Sequence, residues 1–179
     1  IHNFDPNKVF YFGNPKFNKY LMNRYNNLKS NYNFKYILFV GSGTIWNELK
    51  MLKKLNELLN KKKFDLKILY RPHPSRELNE IYLTEIETNL QNIELDKVVK
   101  TNLNLSSKDS RITKIDKSRL YKENNDYFES LIKNSEMVMG TLSTITIETL
   151  LFNKKYMIIA LEDKSNFLCP KNLYLYATY

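Results

Sequence analysis

Among its 179 residues the chain has one cysteine, Cys169, and two histidines, His2 and His73. A lone cysteine excludes a disulfide framework and makes a reducing compartment the default. Two histidines, one cysteine and no Asp-x-Asp pair leave no visible set of metal ligands. No apolar run approaches the ~20 residues that span a bilayer, so no transmembrane helix is expected. A nucleophile elbow is missing as well, because Gly140-Thr141-Leu142-Ser143 lacks the flanking glycine and a second histidine nearby. There is no internal repeat. The sequence starts at Ile1 rather than methionine and stops without a clear helix end or turn, so we expect a piece of a longer protein.

What is present is a core. A hydrophobic content of 42% in 179 residues fits one folded domain, not a disordered chain. The net charge of +9 and pI near 9.4 invite a nucleic-acid reading. Clustering decides its weight. Lysines fall in helix-like stretches (Lys50, Lys53, Lys54, then Lys61, Lys62 and Lys63) and are scattered through asparagine-rich loops. That is a solvated basic surface with compositional bias, and no specific nucleic acid is expected.

Short apolar strands alternate with amphipathic helices along the chain. Residues 8–12 read as a strand stopped by Gly13-Asn14-Pro15, and 16–29 as a helix. Tyr36–Val40 is five consecutive apolar residues, the mark of a strand covered on both faces. A helix is expected over 45–60, with Ile45, Leu49, Leu52, Leu55, Leu58 and Leu59 inward. Next come a strand over 66–70, a less cleanly patterned helix over 77–90 and a strand over 95–99. Residues 102–119 are polar, with a short strand expected at 111–115. A helix over 126–133 takes Asp126 as its cap. Strand 137–139, helix 145–152 and strand 156–160 follow. The expected fold class is α/β: a doubly wound, mainly parallel sheet with helices on both faces, Rossmann-like. Residues 1–179 are assigned to one nucleotide-binding domain, with an opening strand and helix (1–33), a sheet core (34–160) and a C-terminal extension (161–179).

Three stretches carry candidate chemistry. Gly41-Ser42-Gly43-Thr44 follows a strand, where glycines let backbone approach a ligand at a helix N-terminus. It is neither a dinucleotide fingerprint, since Trp46 holds the third glycine position, nor a P-loop, since no Gly-Lys-Ser/Thr follows. Arg71-Pro72-His73-Pro74 is stiffened by two prolines and leaves the carboxyl end of a strand, where open α/β sheets bind ligands. Arg71 offers a planar fork for a phosphate or carboxylate, and His73 a hydrogen bond to a phosphate or leaving-group oxygen. Residues 134–159 form the third, a βαβ unit in which Thr141, Ser143 and Thr144 crowd hydroxyls at a helix start. Ser143 or Thr144 is the N-cap. Glu148 misses capping-box spacing from either, which leaves it as a carboxylate for ribose or sugar hydroxyls.

Together these motifs, with Gly13-Asn14-Pro15-Lys16-Phe17 ahead of them, resemble the C-terminal half of bacterial GT-B glycosyltransferases that make surface carbohydrates. Sialyltransferases, CDP-glycerol glycerophosphotransferases and capsule-polymer transferases carry a His-Pro motif and a Ser-Ser/Thr motif on the nucleotide side of their cleft. His73 and Pro74 match the first motif, Ser143 and Thr144 the second, and Glu148 the helix carboxylate near the donor's ribose. The resemblance implies donor binding by His73, Pro74, Ser143, Thr144 and Glu148; the loop positions add Gly41, Ser42, Thr44, Arg71 and Thr141 to the expected donor site, with His73 as the catalytic group. It implies metal-independent transfer from a CMP-, CDP- or UDP-linked donor, no cofactor, and a cytoplasmic enzyme working at the inner membrane surface on a glycolipid-type acceptor. The acidic motif that supplies the general base in sialyltransferases has no counterpart here, so an N-terminal acceptor domain is the expected partner. The alternatives are a UDP-sugar 2-epimerase-like domain, a basic nucleic-acid-binding domain and a noncatalytic interaction module.

Overall fold

Strand β1 (Tyr36–Val40) is apolar along its length because it is the centre of a sheet with helices on both faces. The computed structural model of the chain describes residues 17, 27–43, 47–74, 80–100 and 125–159. After β1 come α1 (Glu48–Lys62), β2 (Lys67–Arg71), α2 (Glu80–Asn89), β3 (Ile93–Leu95), α3 (Asn125–Asn134), β4 (Met137–Gly140), α4 (Thr144–Leu151) and β5 (Tyr156–Ile158). All five strands are parallel, in the spatial order β3-β2-β1-β4-β5. This is a Rossmann-like α/β sheet, as expected.

The period of two along each strand sorts the core into two layers. Phe39 of β1, Ile68 and Tyr70 of β2 and Met139 of β4 pack with Leu52 and Leu59 of α1 and Ile86 of α2. The alternate residues Tyr36, Leu38, Leu69 and Val138 meet Leu131 and Ile132 of α3 and Ile145 of α4 on the other face. The buried Tyr36 hydroxyl donates to the Leu131 carbonyl at 3.0 Å, tying β1 to α3.

Local chemistry sets the ends of α1. The Asn47 side chain accepts from the Lys50 N–H at 3.0 Å, and Lys61 and Lys62 face the negative end of the helix dipole. Lys63 then takes a left-handed conformation (φ 50°, ψ 41°), which stops the helix.

Several boundaries differ from expectation. The third strand is Ile93–Leu95 rather than 95–99, and residues 97–100 are helical. The cause is Asp96, whose carboxylate accepts the Val98 N–H at 2.9 Å and caps a turn, with Lys100 N–H on the Asp96 carbonyl at 2.9 Å. Asp126 lies inside the first turn of α3, where the dipole favours a carboxylate, and not ahead of it as a cap. Helix α4 starts at Thr144 with Ser143 as its N-cap. The elements expected over 8–12, 102–119 and 161–179, and Thr44, lie outside the described residues, as does the helix expected over 16–29 apart from the helical Phe17 and residues 27–29, which are not helical. Among the described residues no helix is long and apolar enough to cross a membrane.

Candidate functional site

Neighbours β2, β1 and β4 all point the same way, so their three following loops meet at one edge. The chain leaves β1 toward β2 while β4 lies on the opposite side, which puts a topological switch point between β1 and β4. The loop at 41–43 is therefore flanked by 72–74 on one side and 141–143 on the other. All three sequence-predicted stretches converge here.

The first two loops touch. Gly41 N–H donates to the Arg71 carbonyl at 2.8 Å. A Cβ on Gly41 would stand 2.8 Å from the His73 backbone nitrogen and 3.0 Å from Pro72 Cα. A Cβ on Gly43 would stand 3.0 Å from His73 Cε1, so the imidazole lies over this glycine. Pro72 is buried, His73 half-buried and Pro74 exposed. The two prolines and the glycine face together hold the imidazole at the carboxyl edge of the sheet.

Beneath the loop sits a residue that motif reading passed over. Glu48, in the first turn of α1, is fully buried; its Oε1 accepts the Ser42 N–H at 2.7 Å and its Oε2 accepts the Tyr70 hydroxyl. Tyr70 in turn lies 3.1 Å from the Tyr82 hydroxyl. Burial, then the Glu48 charge, pushes the Tyr70 phenol far up. The N–H groups of Gly41 and Ser42 thus point at the chain's own oxygens rather than at a ligand. A signal existed: Glu48, Leu52, Asn56 and Leu59 share the buried stripe of α1, so a carboxylate stands where the helical period calls for an apolar residue.

Arg71 also differs from its expected role as a phosphate fork. Its side chain, 8% exposed, pairs with the fully buried Asp96, and its guanidinium stacks over the Phe128 ring at 4.8 Å. The strand period explains this, since Arg71 shares a face with Leu69, which packs toward α3. Asp96 Oδ1 accepts the Tyr127 hydroxyl at 2.7 Å. Tyr127 is 3.2 Å from the Tyr32 hydroxyl, which accepts the Lys97 N–H at 2.9 Å. The pair anchors the ends of β2 and β3 to α3.

On the third loop, Ser143 is extended (φ −157°, ψ 179°) and its side chain makes no capping bond. Its carbonyl accepts the Thr146 N–H at 3.0 Å. Ser143 and Thr144 are exposed and Thr141 half-buried at the edge. Tyr156 braces the turn from β5, donating to the Thr141 carbonyl at 2.6 Å. Burial raises its phenol, and the hydroxyls of Thr146 and Ser143 offset part of the shift. Gly140 makes room, because a Cβ there would meet both Tyr156 Oη and the Val40 carbonyl at 2.8 Å. Glu148 is no surface charge: it is 4% exposed, within the α4 stripe that also buries Ile145 and Thr149.

Among the described residues no group of three or more His, Cys, Asp or Glu is placed to hold a metal ion. The lysines of α1 face solvent, with Lys53 on Glu85 at 2.7 Å and Lys54 on Glu57 at 3.2 Å. Comparison with known proteins finds no matching family model, curated protein or solved structure. The fold class therefore rests on the parallel sheet and its order, and the function on the site.

Proposed function

We propose that this chain is the donor-nucleotide-binding part of a transferase acting on a nucleotide-activated sugar or glycerol phosphate in surface-polysaccharide synthesis. The observation that carries the proposal is the His73 imidazole, held over Gly43 in the loop after β1, the central strand that borders the switch point. Parallel α/β sheets bind ligands at this edge. In this reading His73 donates a hydrogen bond to the leaving phosphate. The first N–H groups of α4, with the Thr141, Ser143 and Thr144 hydroxyls, stabilise the negative charge that grows there. A separate N-terminal half supplies the acceptor site and the base, and closure of the halves excludes water from the activated donor. Work at the inner face of the membrane on a glycolipid acceptor belongs to the same proposal.

A thermal-shift panel of CMP, CDP, UMP, UDP and GDP tests it. A ligand at about 100 times its dissociation constant stabilises the folded state by roughly 2.7 kcal/mol. We expect a cytidine or uridine nucleotide to raise Tm, and His73→Ala and Ser143→Ala each to shrink the rise. No shift with any nucleotide, or a shift that both variants keep in full, would sink the proposal.

A further inference from the structure

Helix α4 turns apolar residues to water and buries its carboxyl group. A helix on the face of a sheet normally does the reverse. The buried positions of α4 are Ile145, Glu148 and Thr149, and the Thr149 hydroxyl is satisfied by the Ile145 carbonyl at 2.8 Å. The exposed positions include Ile147, Leu150 and Leu151, with Leu150 62% exposed. Their spacing of three and four residues makes them neighbours on one side of the helix. Ile158 lies on the same face of the sheet. In the register of β5 against β4 it stands two residues beyond Tyr156, which packs with α3 and α4, and it is exposed on the strand at the sheet's edge. Apolar side chains gathered in this way on a surface mark an interaction site.

The charge at this face selects its partner. Across residues 141–159 the charged side chains are Glu148, which is buried, and Lys154 and Lys155, which follow the helix. Lys155 is exposed, and Lys154 is half-buried with its Nζ on the Ser135 carbonyl at 2.8 Å. At the turn before β4, Lys133 and Glu136 offset each other in charge. The balance beside the apolar residues is therefore positive, on a chain of net charge +9. A second copy of the chain would bring like charge to like. An acidic lipid surface offers hydrocarbon to the leucines and phosphates to the lysines.

We propose that the outward face of α4, with Ile158, docks on an anionic phospholipid bilayer and sets Lys155 among the headgroups. Because β4 and β5 are parallel, α4 runs back against them and its first turn lies at the carboxyl edge of the sheet. A helix lying flat in the interface keeps the 141–143 loop level with the lipid surface. The inference goes beyond the donor reading and stands without it, since it needs the α4 face and not a nucleotide.

The test is co-sedimentation with phosphatidylcholine vesicles made with and without phosphatidylglycerol. Wild type should bind the acidic vesicles, and added salt should weaken that binding. Leu150→Ser should weaken it about ten-fold, the effect of withdrawing one leucine side chain from an apolar place. Lys155→Gln should weaken it about five-fold, the effect of one lysine near an acidic surface. Both variants should keep the wild-type Tm and any nucleotide-induced shift, because both side chains face solvent in the free chain.

Wild type that ignores acidic vesicles, or Leu150→Ser that binds them as wild type does, would overturn the inference. So would a dimer, seen by light scattering, that Leu150→Ser dissolves, because a second copy then covers α4. A fall in Tm for Leu150→Ser without vesicles would also overturn it, by showing that the chain covers this face itself. Failure of the nucleotide panel leaves lipid docking standing, and failure here leaves donor binding standing.

Discussion

Arg71 and Asp96 form an ion pair at the ends of β2 and β3 with both side chains almost wholly out of water. Two further groups complete it, the Phe128 ring against the guanidinium and the Tyr127 hydroxyl on the carboxylate. Removing one partner strands the other charge in the interior, which typically costs about 3–5 kcal/mol. Arg71→Ala and Asp96→Ala should each lose stability on that scale in urea unfolding. A loss under about 1 kcal/mol, the value of an exposed pair, would show that the pair is solvated.

The two glycines of the first loop should respond differently to alanine. At Gly41 the new methyl meets backbone, His73 N at 2.8 Å and Pro72 Cα at 3.0 Å, which cannot swing aside. Gly41→Ala should therefore destabilise the fold by about 1–3 kcal/mol. At Gly43 the contacts are with the imidazole, the nearest at 3.0 Å, and a side chain can rotate away. Gly43→Ala should cost little in Tm yet reduce the nucleotide-induced shift, because His73 is moved. Equal stability losses in the two variants would contradict this.

Helix caps supply a second contrast. Asn47 holds the Lys50 N–H, so Asn47→Ala should cost about 1 kcal/mol of stability. Ser143 occupies the same position on α4 without a capping bond. Ser143→Ala should then change stability by only a few tenths of a kcal/mol, near the surface-substitution range, while reducing nucleotide binding. Denaturant midpoints with and without nucleotide separate the two effects.

Alkaline pH should unfold the chain through its buried tyrosines. Burial, and then the Asp96 charge, lifts the Tyr32 phenol from 10.0 to about 12, against smaller opposing effects of the Lys97 N–H and Tyr127. Burial also raises Tyr36, Tyr70 and Tyr127. A raised folded-state value means the folded chain keeps its proton after the unfolded chain has released it. The stabilisation is complete below pH 10 and is lost as pH climbs through about 12 for Tyr32. Urea midpoints measured from pH 8 upward should be flat at first and fall beyond 10. Stability that rises in that range would contradict the assignment.

Much of this protein could be read from residue order alone, and the rest could not, for a definite reason. The unbroken apolar run of β1 requires cover on both faces, and glycine, proline and hydroxyl residues mark the strand ends where loops must turn. Both are local properties, so the parallel α/β class and the three loops at 41–43, 72–74 and 141–143 were legible. The period of two already put Arg71 on the face of Leu69, but nothing local says that Asp96 waits there; the β2–β3 register brings them together. Likewise the sequence shows a carboxyl group in the apolar stripe of α1, while only the approach of Tyr70 and the 41–43 loop makes Glu48 an internal hydrogen-bond acceptor. Short-range patterning determines which elements form. Which polar groups are consumed inside and which are left for a ligand is decided by contacts between residues distant in the chain, and these exist only once the sheet has assembled.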